Sequence, residues 1–254
     1  MKKTLLSTLC LLFVTTFTLQ GAFADEVELL GAGATFPYPL YSKMFSVYHE
    51  QYGVRVNYQA VGSGGGIRQL LNKTVDFGAT DAFMSDEEIR SIKNPILHLP
   101  TCLGAVVISY NLPEAPELKL TGKVIADIFL GRITKWNDPQ IVALNPQVNL
   151  PALSIMPVHR SDASGTTYIF SDYLSKITRE WEEKVGRGKA LNWPAGLGAK
   201  GNTGVAGLVK QIPGAIGYIE LTYALQTGMP FALVKNASGN FIKPTPTSVS
   251  LAAN

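Results

Sequence analysis

Cysteine is almost missing from this chain: Cys10 and Cys102 are the only two. Once an N-terminal leader is set aside only Cys102 is left, which excludes an internal disulfide and any multi-cysteine zinc site. Cys102 opens the apolar run to Ser109 and is expected to be a buried, structural thiol. Histidine is nearly as scarce, at three: His49 lies in a helical pattern, His98 between apolar residues, and His159 next to Arg160. Neither a zinc cluster nor a catalytic base is expected of them, and no metal or cofactor is assigned. Excess charge is also lacking. The formal net charge is +3, of which Lys2 and Lys3 in the leader supply two, leaving +1 for the body of the chain. A nearly neutral body has no general positive field for nucleic acid, so any anion selectivity must come from placed donors. The common enzyme signatures are missing as well. Gly31-Ala32-Gly33 has no third glycine of a dinucleotide fingerprint, Gly62 to Gly66 lacks the Gly-Lys-Ser/Thr ending of a P-loop, and no Gly-x-Ser-x-Gly elbow occurs. No catalytic residue is assigned, and an enzyme is not expected.

Long hydrophobic runs are confined to the start. Lys2 and Lys3 precede a mostly apolar stretch from Thr4 to Leu19, and Ala22-Phe23-Ala24 fits the small-x-small cleavage pattern, so residues 1–24 are expected to be a signal peptide. The stretch from Val205 to Leu221 is interrupted by Lys210, Pro213 and Glu220 and falls short of a spanning segment. A soluble, exported protein beginning near Asp25 is expected.

What the sequence does contain is three stretches that place glycine and hydroxyl residues just before a helical pattern: Gly31 to Pro37, Val61 to Gly66, and Arg160 to Thr166. The first turn of a helix carries unpaired N–H groups and partial positive charge, glycine allows close backbone approach, and Ser or Thr adds donors. Three such stretches, one with an arginine, suggest convergence on a single oxyanion. Asp81 is presented at the end of the short strand pattern Val75 to Asp81. A carboxylate there would repel a fully ionised anion but accept a hydrogen bond from one that keeps a proton, as phosphate does at neutral pH and sulfate does not. Arg160 and Asp162, two apart, share a face of an extended segment and can pair. Each of these residues also has a plainer reading: Thr35 and Ser63 as helix caps, Asp81 as a cap or turn residue, Arg160–Asp162 as a surface pair.

Strands are expected at Glu28–Leu30, Val54–Tyr58, Val75–Asp81, Ile96–Leu99, Val106–Tyr110, Ile155–Val158 and Ile216–Ile219. The apolar continuity of Val106–Tyr110 predicts a central strand. Helices are expected over Tyr38–Gln51, around Ile67 to Leu71, after the capping box Ser85-Asp86-Glu87-Glu88, and over Thr121–Leu130, Thr166–Ile177 and Gly201–Gln211. Alternating strands and helices with polar groups at strand ends indicate an α/β architecture.

These motifs, in order and together with Asn145-Pro146, Trp193-Pro194-x-Gly196-Leu197-Gly198, Lys200-Gly201-Asn202 and Pro213-Gly214-Ala215-Ile216-Gly217-Tyr218, resemble the periplasmic phosphate-binding proteins of bacterial ABC phosphate importers. The resemblance implies a two-lobed solute-binding fold of type II that closes over one phosphate and docks on a membrane permease. It implies phosphate contacts at Thr35, Phe36, Ser63, Asp81, Arg160, Ser164, Gly165 and Thr166, with Asp162 holding the arginine. By the same resemblance residues 25–101 belong to the first lobe and 102–254 to the second. Members of the family usually continue for roughly another quarter of their length to finish the first lobe, which is therefore expected to be incomplete here. An exported phosphatase using the same anion pocket, or a surface protein without a transport role, are the alternative functions.

Overall fold

A computed structural model of the chain describes residues 27–92, 95–114 and 117–252. Residues 1–24, expected to be a signal peptide, lie with Cys10 outside the described residues. Two principal sheets form two lobes. In the first, β1 (Glu28–Gly33) is flanked by β2 (Arg55–Ala60) and β3 (Phe77–Ala79), all parallel, with Gly33 level with Ala60 on one side and Ala79 on the other. The strand continues through Gly33, beyond the expected Leu30. Helix α1 (Tyr38–Tyr52) follows β1, and α2 (Ser63–Leu71) follows β2. A Cβ on Gly66 of α2 would lie 2.4 Å from the Gly33 Cα, so glycine there lets the helix rest directly on the strand end. That contact brings the start of α2 beside the end of β1.

Helix α1 meets its sheet through aromatic residues. Tyr41 stands edge-on to Tyr58 at 5.4 Å between ring centres, and Phe45 meets Phe77 at 6.3 Å. Of the apolar residues that mark this helix in the sequence, Leu40, Met44 and Tyr48 remain exposed. Helix α3 (Asp86–Arg90) starts with the expected capping box: Ser85 Oγ accepts from the Glu88 N–H, and the Glu88 side chain accepts from the Ser85 N–H.

The second lobe is organised by a sheet of four strands, in the order β4 (Val106–Tyr110), β8 (Ala215–Glu220), β6 (Met156–Arg160), β7 (Leu197–Ala199). β8 runs antiparallel to β4 and parallel to β6, which is parallel to β7. β4 is thus at the end of the order, and the strand buried along its whole length is β8. The continuous apolar character of β4 has a different cause from the one expected. Its far edge is covered by a passing segment, with the Ala232 N–H on Ile108 O at 2.9 Å and Ser109 Oγ on Pro230 O at 2.7 Å.

Alternation along β8 feeds a core on each face. Ile216 and Tyr218 join Phe129, Trp136, Phe170, Leu174 and Trp181, while Ala215 and Ile219 join Val158, Val205 and Val209. Helix α4 (Gly122–Phe129), α5 (Pro139–Leu144), α6 (Gly165–Ile177) and α7 (Arg179–Lys184) lie on the side of the first core, α8 (Gly201–Gln211) and α9 (Leu221–Thr227) on that of the second. The segment after α4 carries the fully buried Trp136, whose indole N–H reaches Gly214 O at 3.0 Å. A small sheet of β5 (Lys119–Leu120), β9 (Leu233–Lys235) and β10 (Phe241–Ile242), with α10 (Pro246–Ala252) after it, completes the described chain.

Two expectations fail in the same place. Residues 95–105 form no strand, and Leu97, Leu99 and Leu103 are exposed. Pro95 and Pro100 bracket Ile96–Leu99 and cannot donate to a ladder, which removes the pairing that its β-favouring side chains would otherwise support. The chain enters β4 only at Val106, so Cys102 is exposed, not a buried structural thiol.

Candidate functional site

The residues singled out in the sequence follow the carboxyl ends of parallel strands in both lobes. Thr35 comes after β1, Ser63 opens α2 after β2, and Asp81 comes after β3. Arg160 is the last residue of β6, and Ser164 to Thr166 open α6. In an α/β fold this edge is where loops and helix N-termini converge. The lobes meet here through their own hydrogen bonds. Ser63 Oγ, fully buried, accepts from the Asp81 N–H at 3.3 Å and from the Gly165 N–H of the opposite lobe at 3.1 Å, and donates to Asp81 Oδ2 at 3.4 Å. The Gly64 N–H reaches Ala163 O at 2.9 Å. Space is tight: a Cβ on Gly165 would come within 2.5 Å of both Asp81 Oδ2 and Ser63 Oγ.

Neither Thr35 nor Ser63 serves as an ordinary cap. The N-termini of α1 and α2 have no side-chain cap, and Thr35 Oγ1 instead accepts from the Asn202 backbone N–H at 3.2 Å and its Nδ2 at 2.9 Å. Ser164 does cap its helix, accepting from the Thr167 N–H at 3.1 Å. Phe36 is half-buried and directs its ring at Gly104, where a Cβ would lie 2.4 Å from the ring carbon Cε1.

Arg160 is held with little freedom. Its side chain is 1% exposed, with Nε 2.7 Å from Asp162 Oδ1 and Nη2 2.5 Å from Oδ2, a fork that fixes the guanidinium plane. The Gly201 N–H at the start of α8 adds a third bond to Asp162 Oδ1 at 3.0 Å. Burial alone would raise the Asp162 carboxyl, but these bonds outweigh it and hold its pKa below the ordinary value. Arg160 Nη1 is 3.4 Å from Thr166 Oγ1, and the Arg160 N–H donates to the Tyr218 hydroxyl at 3.0 Å. A buried, hydrogen-bonded pair replaces the surface pair that the spacing alone would equally allow.

Asp81 behaves differently from Asp162. Burial pushes its carboxyl up to about 7, against the opposing pull of Arg160 and of bonds from Ser63 and the Thr166 N–H, with Glu220 raising it further. It therefore changes protonation near neutrality, and as a carboxylate it is a hydrogen-bond acceptor beside a fixed cation. Glu220, the last residue of β8, is also raised, chiefly by burial.

The sequence reading missed the groups that tie the site together. Asn202, fully buried, joins Thr35, Thr166 and Glu220. The Tyr223 hydroxyl donates to Thr35 O at 2.5 Å, and that of Tyr58 to Ala34 O at 2.7 Å. Lys200-Gly201-Asn202 was visible as a motif, but nothing local marks Thr35, 167 residues away, as its partner. The histidines lie apart from one another: His49 on α1, His98 accepting from the Met84 N–H at 3.3 Å, and His159 stacked on Trp193 at 4.6 Å. Among the described residues, no three His, Cys, Asp or Glu side chains come together as a metal site.

Comparison with known proteins places this arrangement in a family. Residues 20–252 match the model described as the PBP superfamily domain. A protein named phosphate-binding protein PstS from Haemophilus influenzae is 47% identical over 91% of this chain and 70% of its own length. One of the same name from Pasteurella multocida is 50% identical over 89% of the chain and 65% of its own length. The chain thus spans about two thirds of such relatives, 65–70% of their length. Among solved structures, a high-affinity periplasmic phosphate-binding protein (PfluDING) bound with phosphate superposes with a TM-score of 0.70, at 24% identity, over 89% of this chain and 67% of the other. An ABC-type phosphate transport receptor from Vibrio cholerae gives a TM-score of 0.57 at 21% identity, over 89% and 82%. Both likenesses are of fold, and the fold is the two-lobed solute-binding type II class. With this fold, and at 47% identity over nine tenths of its length, the chain belongs to the PBP superfamily and, within it, to the family of the phosphate-binding proteins PstS.

Proposed function

We propose that this chain binds inorganic phosphate between its two lobes and delivers it to the membrane permease of an ABC phosphate importer, without turning it over. The observation that carries the reading is the pairing of a fixed, buried guanidinium at Arg160 with a carboxyl at Asp81 that titrates near neutrality. A guanidinium neutralises part of the charge of any oxyanion, whereas an adjacent carboxylate tolerates only one that brings its own proton. Monohydrogen phosphate meets both conditions, and sulfate fails the second.

In this reading Thr35, Phe36, Ser63, Asp81, Arg160, Ser164, Gly165 and Thr166 contact the anion, hydroxyl and backbone donors completing what Arg160 begins, while Asp162 holds the arginine. Ser164 takes part while capping α6, since its cap aims the first N–H groups of that helix at the site. Residues 25–101 supply the first lobe and 102–254 the second. The protein works in the periplasm after removal of residues 1–24. No nucleic acid and no cofactor takes part, and among the described residues no helix is long and apolar enough to cross a membrane. Support for phosphate binding comes from the relatives' common name, and support for transport from the ABC-type phosphate transport receptor whose fold the chain shares.

The test is calorimetric titration of the purified chain with phosphate, arsenate and sulfate at pH 8, where Asp81 is a carboxylate, alongside a phosphomonoester turnover assay. Tight binding of phosphate and arsenate, no heat with sulfate and no turnover are expected. Equal affinity for sulfate, or turnover that Asp81→Asn abolishes, would overturn the proposal.

A further inference from the structure

We infer that Asn202 is the residue that sets the polarity of the site across both lobes, forcing one hydroxyl from each lobe to act as a hydrogen-bond donor. This rests on the phosphate reading above. Asn202 is fully buried, and its carboxamide can sit only one way round, because Oδ1 accepts the Glu220 N–H at 3.0 Å. Flipped, it would set its own amide protons against that donor. Held so, Nδ2 sends one proton to Thr35 Oγ1 in the first lobe, at 2.9 Å, and the other to Thr166 Oγ1 in the second, at 3.3 Å.

A threonine hydroxyl has two acceptor lone pairs and one proton. On Thr35 both lone pairs are taken, by Asn202 Nδ2 and by the Asn202 backbone N–H at 3.2 Å. On Thr166 they are taken by Asn202 Nδ2 and by Arg160 Nη1 at 3.4 Å. The three groups that make these four contacts are pure donors, so neither hydroxyl can donate back to them. Each O–H is left to point away from Asn202, toward an acceptor. One neutral side chain thereby turns two ambivalent hydroxyls into fixed donors on opposite sides of the cleft. It is a positioning residue: it acts on the anion through Thr35 and Thr166, and it fits a ligand rich in acceptor oxygens.

A double-mutant cycle on the full chain, read by calorimetric titration with inorganic phosphate, tests this. Asn202→Ala is expected to weaken phosphate binding at least tenfold. Asn202→Asp is expected to weaken it at least a hundredfold, because its second oxygen accepts the hydroxyl protons instead of directing them outward. In the Thr35→Val/Thr166→Val background, where there are no hydroxyl protons to direct, Asn202→Ala should change affinity by less than twofold. A purely structural role predicts the contrary, the same loss in both backgrounds, and that result overturns the proposal. Binding by both Asn202 variants within twofold of the parent overturns it too while leaving the phosphate reading intact. A parent chain that does not bind phosphate overturns both. Should Asn202→Ala fail to fold, the isosteric Asn202→Asp carries the cycle alone: its added negative charge repels phosphate in both backgrounds alike, so the loss in the parent should exceed that in the valine background at least tenfold, and an equal loss in the two refutes the proposal.

Discussion

Asp81 gives the site a measurable dependence of stability on pH. Its carboxyl titrates at about 7 in the folded chain, against an ordinary value of 3.8. The folded state therefore binds this proton more tightly than the unfolded state, and stability falls as pH rises from about 4 to about 7, after which the loss is complete. The shift corresponds to roughly 4 kcal/mol in all, of which about 3 kcal/mol falls between pH 5 and 8. Asp81→Asn keeps the shape and stays neutral, so its stability should lack this component. Urea denaturation of the parent and the variant in phosphate-free buffer, at half-unit steps from pH 5 to 8, gives the comparison. Asp162 and Glu88, whose bonds to Arg160 and to the Ser85 N–H hold them low against the contrary effect of burial, lose their contribution only at more acidic pH. His159, lowered by burial, acts with the opposite sign below pH 6.5, and Glu220, raised by burial, with the same sign as Asp81. His159 is common to the two proteins and drops out of the difference, whereas Glu220, whose charge is coupled to that of Asp81, adds to it with the same sign. The variant should gain on the parent steadily up to pH 7 and then hold a constant advantage. Parallel curves across this range would refute a buried, proton-retaining Asp81.

Two further substitutions probe the frame around it. Asp162→Ala strands the Arg160 guanidinium, 1% exposed, without its partner, and should cost about 3–5 kcal/mol, or roughly 10 °C in Tm; calorimetric scans should show much of the loss recovered with saturating phosphate, since an anion can take the carboxylate's place. Gly165→Ala would thrust a methyl group within 2.5 Å of Asp81 Oδ2 and Ser63 Oγ; an overpacking cost of about 1–3 kcal/mol should appear as a tenfold to hundredfold loss of phosphate affinity by titration calorimetry, with the Tm of the ligand-free chain little changed because the lobes can part.

The elements that could be read from the sequence are those in which the physics is local. The capping box at Ser85, the run of β8 and the two-residue spacing of Arg160 and Asp162 each declare themselves within a few positions. Ser63 and Thr166 were legible because glycine and hydroxyl residues at a strand-to-helix turn have few roles. What could not be read depends on partners distant in the chain. The polarity imposed by Asn202 needs Thr35 and Glu220 at once, and an asparagine after glycine at a helix start looks like a cap. The apolar residues of β4 signalled burial truthfully, but a strand can be buried by a passing segment as well as by two neighbours. Ile96–Leu99 had strand-like side chains and prolines at both ends, and the missing donors decided the outcome.

The two principal sheets differ in how far apart their strands lie in the chain. β1, β2 and β3 all fall within residues 28–79, whereas β4 at 106–110 pairs with β8 at 215–220. Closing a loop of about a hundred residues is entropically slower than closing the short crossovers of the first sheet. The second lobe is therefore the late event in folding, and the contacts of Ser63 with Gly165 and of Thr35 with Asn202 come later still, since each needs both sheets in place. An anion held by those contacts gains nothing until the rate-limiting step is past. It acts on the return journey, lengthening the lifetime of the folded chain and leaving the speed of folding unchanged.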